Sequence, residues 1–377
     1  MILNSADAAY AANYLQEYFQ DFGRIDDYLR RVKLERIERL PTMLPMFSYG
    51  DDMFSDFDMQ PSDMNFRVDV VTGNMNKIFA EHLEVTTSHA IEDNVPGKNM
   101  KFMVYETNSN KLVGFIRLAS PVLNLKPRNE FLGKPLDTYN SDVMKRFNDS
   151  AAMGFIIVPT QPFGFNYLGG KLLAAICCSH DVKEAFDAKY GTNLCHFETT
   201  SLYGTTKSSS QYDGMKPYLR NKGLTDSNFT PMLNDEKFHE FNRWFVKKVG
   251  SELVERGASS RKLKIQTKMV SIVKSSLKKY SEEDYKKFCE VIETAKGLTE
   301  RKRVYMCDYG YANTREYLNM ETDALVKKPN YDSYSFENLV EWWKKKASNR
   351  YEKLKNSGSI RTEQEIWSEK SDIDIIR

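Results

Sequence analysis

The stretch Gly154-Phe-Ile-Ile-Val-Pro-Thr-Gln-Pro-Phe-Gly-Phe-Asn-Tyr-Leu-Gly-Gly-Lys171 decides the fold of this chain. Its first residues belong to an apolar run, Met153–Val158, which is typical of a strand buried on both faces. Polar and glycine-rich residues then predict a loop over Thr160–Gly170, and the apolar periodicity of Lys171–Lys189 predicts a helix. With a second predicted strand at Leu194–Thr199, the region forms a βαβ unit.

The junction between this loop and helix predicts an anion site. A helix N-terminus presents unpaired N–H groups at the positive end of the helix dipole, and Gly169 and Gly170 carry no Cβ to obstruct approach. We therefore expect the backbone of Leu168–Lys171 to bind a phosphate or pyrophosphate. The spacing is neither a Walker loop, because Leu172 stands where a hydroxyl residue is needed, nor a dinucleotide GxGxxG. The alternative is a tight turn whose glycines allow close helix–strand packing.

The remaining patterns predict helices on both sides of this unit and a hairpin before it. A first helix is expected over residues 5–35, another over Asn74–Leu83 and an antiparallel hairpin over Lys101–Ala119. From residue 235 onward the periodicity is helical almost throughout. The expected architecture is an α/β domain over about residues 1–230, with a mixed sheet flanked by helices, followed by a mostly helical basic domain over 235–377.

Length and composition exclude several classes of protein. With 377 residues, 41% of them hydrophobic, the chain is long enough for two domains and unlike a disordered protein. Its apolar runs are far shorter than the roughly 20 residues of a membrane span, so no membrane partner is expected. Five cysteines form no CxxC box, and the N-terminus lacks the features of a secretory signal. We expect a soluble cytoplasmic protein without a metal site.

The charge of the chain is unevenly distributed. Residues 241–377 contain 29 Lys and Arg against 21 Asp and Glu, and Phe241–Tyr280 alone contains 11 basic and 2 acidic residues. This basic stretch predicts contact with nucleic acid, mainly through phosphates, and Trp342–Arg350 repeats the mixture of aromatic and basic residues. The alternative is the solvated face of an ordinary amphipathic helix. The candidate nucleic-acid-binding residues are Arg261, Lys262, Lys264, Lys268 and Lys278.

Two ionisable residues on the second predicted strand are candidates for catalysis. His196 and Glu198 are two positions apart, so their side chains point to the same face of the strand. If that face lines a cleft, Glu198 is placed to take a proton from an attacking amine, with His196 as its neighbour or substitute. The alternative is an exposed charged face beside the sheet.

The order of these elements resembles the GNAT acyltransferase superfamily. Asn166-Tyr-Leu-Gly-Gly-Lys-Leu-Leu173, Phe197-Glu-Thr199 and Tyr203-Gly-Thr205 are similar, more specifically, to the GNAT-like family that contains the DruA protein of the Druantia anti-phage system. A more remote resemblance is to the phage Mom proteins, which modify adenine in DNA. The match covers roughly residues 100–225, and it departs from the usual GNAT motif by having Asn166 first and Lys171 in place of a small residue.

The resemblance implies a cofactor and a set of site residues. It implies acetyl-CoA or another phosphate-containing acyl donor, held at the glycine motif and in an opening beside a splayed strand. It also places a general-acid tyrosine in the region of Tyr203 and Tyr212, for which packing or base stacking is the alternative. The implied donor-binding residues are Phe155, Ile157, Val158, Asn166, Leu168, Gly169, Gly170 and Lys171.

The resulting functional hypothesis is a GNAT-like transferase that passes an acyl or related small group to a base amine of nucleic acid, with DNA as the expected form. The resemblance implies a context of phage DNA modification or phage defence, in the host cytoplasm if the protein is viral. Two alternatives stay open: a nucleic-acid-binding protein with a decayed GNAT cleft, and an N-acetyltransferase acting on a protein or small-molecule amine. The sequence leaves the oligomeric state open.

Overall fold

The structure, a computed structural model, describes most of the chain. The described residues are 2–20, 25–38, 52–87, 97–201, 208–225, 232–256, 261–297 and 301–368.

The chain divides into two compact units. The smaller unit comprises Met1–Val32 and Ser227–Glu300, and the larger unit comprises Lys33–Asp226 and Arg301–Arg377. This division differs from the predicted boundary between residues 230 and 235. The physical reason is that the chain returns to the larger unit after residue 300 and completes its sheet there.

The larger unit is built on a mixed sheet of seven strands. Their order across the sheet is β1-β2-β3-β4-β5-β7-β6, and β4 and β5 run parallel while the other neighbours are antiparallel. The predicted hairpin is confirmed as β2 and β3, and the βαβ unit as β4 and β5. The strands are β1 (Phe66–Val70), β2 (Asn99–Glu106), β3 (Lys111–Ala119), β4 (Ala151–Pro159), β5 (His196–Thr200), β6 (Arg220–Leu224) and β7 (Arg303–Cys307).

The helices follow the apolar periodicity of the sequence in most places. They are α1 (Ser5–Phe19), α2 (Ile25–Ile37), α3 (Met75–Thr86), α4 (Lys126–Leu132), α5 (Ser141–Ser150), α6 (Phe163–Tyr167), α7 (Gly169–Cys177), α8 (His180–Tyr190), α9 (Asp235–Val249), α10 (Arg261–Tyr280), α11 (Glu282–Gly297), α12 (Thr314–Leu318) and α13 (Phe336–Asn356). None of these helices has both the length and the apolar composition needed to cross a bilayer.

The connection between β4 and β5 differs from its prediction in two places. The predicted loop contains the short helix α6, whose Phe163 and Tyr167 are four residues apart and both buried in the core. The predicted single helix is two helices, because the Ser179 side chain accepts a hydrogen bond from the Val182 amide and caps α8. The core of this region lies between α7 and the sheet, where Leu172 and Leu173 are fully buried.

Strand β7 explains why residues 301–377 do not form a separate helical domain. Its short apolar run pairs with β5 on one side and β6 on the other, so it fills a position within the sheet. Helix α13 then packs on α6 and α7, where the Trp343 Nε1 donates to the Leu168 carbonyl at 3.3 Å.

The smaller unit is helical and contains α1, α9, α10 and α11. The apolar side of α10 lies in its core, with Ile265, Met269, Val273 and Leu277 buried as the periodicity predicts.

Candidate functional site

Strand β4 continues well beyond its pairing with β5. Parallel pairing runs only from Ala151–Gly154 against His196–Thr199, whereas β4 continues to Pro159 alongside β3. The β3 register shifts where Leu118 pairs with Gly154 and Arg117 with Ile156, so Phe155 is a β-bulge without a partner. Within the described residues, the edge of β4 beyond Gly154 has no strand partner on the β5 side, and we call this edge the β4–β5 opening. Bulges of this kind redirect side chains and end pairing, often beside active sites.

The predicted donor-binding residues of β4 lie on different sides of the strand. Phe155, at the bulge, is 36% exposed, while Ile157 is buried in the core beneath α7. Val158 packs partly buried against the cluster that contains Phe79 of α3. Phe155 is therefore the member of this set that is free to contact a ligand.

The N-terminus of α7 meets the end of β4 through a tight corner. Leu168 adopts a left-handed conformation with φ of 57° and separates α6 from α7. The Lys171 and Leu172 amides both donate to the Leu168 carbonyl. Gly169 is buried whereas Gly170 is partly exposed, so Gly170 is the glycine of this pair that a ligand can reach at the positive end of α7.

Glycine is favoured at these two positions for different physical reasons. A Cβ on Gly169 would lie 2.8 Å from Phe163 Cδ1 and 2.9 Å from Pro159 Cβ, so Gly169 allows close packing, as in the alternative reading of the motif. A Cβ on Gly170 would meet nothing within 4 Å. Gly170 therefore faces open space, as an anion site requires.

Lys171 lies across the mouth of this corner. Its Nζ donates to the Gln211 carbonyl at 2.8 Å and also to the Asp213 carbonyl. Burial, together with the nearby Lys346 cation, lowers the pKa of Lys171, and Asp213 opposes this effect. The lysine side chain thus ties the first turn of α7 to the segment that follows β5.

Asn166, the first residue of the glycine motif, has a structural contact. Its side-chain Nδ2 donates to the Arg361 carbonyl at 2.7 Å, and its Oδ1 accepts from the Arg361 amide at 3.1 Å. The side chain is fully buried. Asn166 therefore fastens the segment after α13 to α6, which is a sufficient reason for its position in the motif.

His196 and Glu198 are brought together, but away from solvent. The His196 Nε2 lies 3.2 Å from Glu198 Oε2, and the Arg128 Nη1 donates to Glu198 Oε1 at 2.7 Å. Glu198 and Arg128 are both fully buried, and the ring of Phe131 stacks on His196. The alternative of an exposed charged face is wrong, and direct contact of Glu198 with a substrate is blocked by the same burial.

Arg128 completes this buried network without using all of its donors. Its Nη2 donates to the Leu123 carbonyl at 2.7 Å and its guanidinium lies over the Phe147 ring, while its Nε has no partner in the described residues. Burial lowers the pKa of Arg128, and the neighbouring Glu198 carboxylate opposes that shift. The arrangement is a buried ion pair that holds α4 to β5.

The structure describes one of the two candidate tyrosines. Tyr203 lies outside the described residues. Tyr212 is buried in the larger core, 5.3 Å from the Tyr305 ring, and burial raises its pKa. Ser201, which follows β5 directly, is buried, and its Oγ has no hydrogen-bond partner in the described part of the chain.

The basic helix α10 is partly neutralised. Arg261 forms an ion pair with Glu252 at 2.7 Å, and the Lys268 Nζ donates to the Leu253 carbonyl. Lys262 lies over the Phe238 ring. Lys264 and Lys278 are exposed. The other two of the five candidates are exposed and make none of the contacts just described. The basic surface of α10 is therefore weak.

Comparison with known proteins identifies one relative. Residues 28–210 match the family model of the Druantia protein DruA. The Druantia protein DruA of Escherichia coli (strain UMEA 4076-1) is 29% identical over 146 residues, which is 34% of this chain and 34% of that protein. The aligned region spans about a third of the length of this curated DruA. No solved structure matches the chain.

Several residues at these sites escaped the sequence analysis. Arg128 lies in a segment without clear periodicity, 70 residues before its partner Glu198, so no local pattern indicates the pair. Ser201 had a signal, because it follows the second predicted strand at the edge where ligands of parallel sheets bind.

Proposed function

We propose that this protein is a GNAT-like transferase that acts on nucleic acid. In this proposal, the β4–β5 opening receives a phosphate-bearing donor, and an acyl or related small group passes to a base amine. The observation that carries the proposal is the Phe155 bulge, where β4 separates from β5 beside an unobstructed Gly170. The similarity to the Druantia protein DruA favours a phage-defence context.

The residues at the opening suit the phosphate part of such a donor. Gly170 lies in the first turn of α7, at the positive end of the helix, where an anion is favoured. The space beside Gly170 lacks any atom that an anion would displace, and Lys171 adds a cation at the mouth. Acetyl-CoA, when bound, would supply an activated thioester. Phe155 is the exposed apolar side chain beside the strand gap and would contact the donor's non-phosphate part.

The chain's own proton-transfer groups limit the chemistry. Glu198 is committed to Arg128 and has no open path to a substrate. Tyr212 is buried as well, and burial raises the pKa of its hydroxyl, so it has no open path to a substrate either. This arrangement is consistent with a strong nucleophile or a solvent base on the acceptor side.

A second function, nucleic-acid binding without transfer, is favoured by one specific observation. The candidate base Glu198 is fully buried in an ion pair, as expected if the network serves stability alone. In this case the opening would bind a phosphate of the nucleic acid itself.

Two measurements separate these functions. Mass spectrometry of nucleosides from cells that express the protein should show a new base mass under the first function and none under the second. Calorimetry with CoA and with inorganic pyrophosphate should show binding that Gly170→Val abolishes, because a branched side chain would occupy the anion's path. The fold of this variant should be intact, since the Cβ meets nothing. Unchanged binding in Gly170→Val would contradict the assignment of this corner.

A further inference from the structure

A strip of aromatic and basic side chains runs along α13 beside the β4–β5 opening. We call the residues Phe165, Trp342, Lys345, Lys346 and Arg350 the α13 strip. Trp342, Lys346 and Arg350 are four residues apart, so they lie on one face of the helix over about 12 Å. The sequence pattern Trp342–Arg350 singled out this segment, and the functional site described above does not use it.

Each aromatic ring of the strip is paired with a cation. The Lys346 Nζ lies 5.2 Å from the centroid of Trp342. The guanidinium groups of Arg350 and Arg361 both lie over the Phe165 ring, 4.8 Å and 3.7 Å from its centroid. These contacts hold the cations beside flat apolar surfaces while Phe165 and Trp342 stay partly exposed. Rings and cations in alternation suit bases that stack and phosphates that follow them.

The cations of the strip are not neutralised by acidic side chains. Within the described residues, Lys345, Lys346 and Arg350 form no ion pair, whereas the neighbouring Lys344 is paired with Glu341 at 2.9 Å. The strip therefore has an uncompensated positive charge, unlike α10, where Arg261 is paired with Glu252.

The strip also has a concave end. A groove of about 500 Å³ is bounded by Trp342, Lys345, Tyr218, Asn330 and Asn338, and its lining also includes the acidic residues Asp332 and Glu341. The Tyr218 and Trp342 rings meet edge to face, 5.5 Å apart, and form its aromatic side. The amides of Asn330 and Asn338 add hydrogen-bonding groups to the lining. Aromatic and amide groups in one lining suit one unstacked base.

The strip also lies near the corner at the start of α7. Trp343, on the same helix, donates to the Leu168 carbonyl at the start of α7. The Lys346 cation is close enough to Lys171 to lower the pKa of that lysine. A strand held along α13 would thus pass next to the corner that contains Gly170.

We propose that the α13 strip binds single-stranded nucleic acid, with a base stacked on Trp342 and phosphates at Lys345, Lys346 and Arg350. The proposal rests on the function proposed above and locates its acceptor on the larger unit, in place of α10. Single strands are favoured over a duplex because exposed rings recognise the faces of unpaired bases.

Fluorescence anisotropy with the full chain tests the strip. The probe is a labelled oligothymidylate of about 20 nucleotides, compared with a duplex of the same length over about 50–300 mM salt. Lys346→Glu combined with Arg350→Glu should weaken binding by about tenfold or more at low salt and flatten the salt slope by at least about 1.4, at about 0.7 for each lost phosphate contact. Trp342→Leu should weaken binding by about tenfold with an unchanged slope, because only a stacking surface is lost.

Two controls and one further variant make the outcome decisive. The control Lys344→Ala removes a cation on the same helix that is paired with Glu341, and the control Lys264→Glu with Lys278→Glu changes α10. Both controls should bind as the wild type does. Lys345→Glu alters an exposed residue of the strip, should weaken binding, and keeps the test valid if the double variant misfolds. If the wild type binds and the strip variants bind equally well, the strip is not the binding surface. Equal affinity for the duplex would overturn the preference for single strands. If the wild type does not bind at all, the proposed function is overturned as well.

Discussion

Replacing Glu198 with Gln should destabilise the larger unit rather than remove a catalytic group. The substitution keeps the shape of the side chain but leaves the Arg128 guanidinium buried without a counter-charge. Glu198 accepts from Arg128 at 2.7 Å and both side chains are fully buried. Removing one partner of a buried pair costs about 3–5 kcal/mol. Because the glutamine oxygen can still accept one hydrogen bond, the lower end of this range, about 3 kcal/mol, is the expected loss.

The measurement is urea unfolding at neutral pH, followed by tryptophan fluorescence. Trp343 and Trp367 are buried in the same unit and report on its unfolding. The double variant Arg128→Met with Glu198→Leu should recover most of the lost stability, since apolar residues of similar volume can replace a buried ion pair at little cost. A midpoint for Glu198→Gln equal to that of the wild type, with loss of activity, would refute this reasoning and make Glu198 a catalytic residue.

Two further predictions concern the corner at α7. Gly170→Ala should leave the thermal midpoint unchanged or slightly higher. Gly169→Ala should lower stability by about 1–3 kcal/mol, because its Cβ would collide with Phe163. Equal thermal midpoints for the two variants would contradict this prediction. The lowered pKa of Lys171 means that its charge is lost as pH rises, at a lower pH than for an ordinary lysine. Pyrophosphate affinity should therefore fall in that range by calorimetry, and Lys171→Arg should remove the fall; identical pH profiles would exclude Lys171 from the anion site.

The sequence predicted the parts of the fold that local patterns encode. The apolar run of β4 and the periodicity of α10 lie within single segments, so each could be read without knowledge of the rest. Helix α8 begins at a capping serine that interrupts a continuous apolar pattern, and the cap prevailed over that pattern. Strand β7 was missed because its short run, Val304–Cys307, lies among charged residues and gains its identity from β5 and β6.

The candidate site was predicted in outline but not in its contacts. Gly170 has the open surroundings that the glycine motif implies, whereas Gly169 and Asn166 serve packing and attachment. That difference depends on Phe163 and Arg361, and Arg361 lies far along the chain. The burial of Glu198 likewise depends on α4, so strand alternation could predict its face but not what covers that face.

The position of β7 has a consequence for synthesis on the ribosome. Strand β5 ends at Thr200, but its sheet neighbour begins only at Arg303, after the helices α9, α10 and α11 have been made. At about 5–20 residues per second, β5 waits for about 5–20 s with one edge unpaired. An unpaired edge during that interval is open to other chains. Translation speed and chaperone access over residues 201–302 should therefore govern the yield of the folded protein.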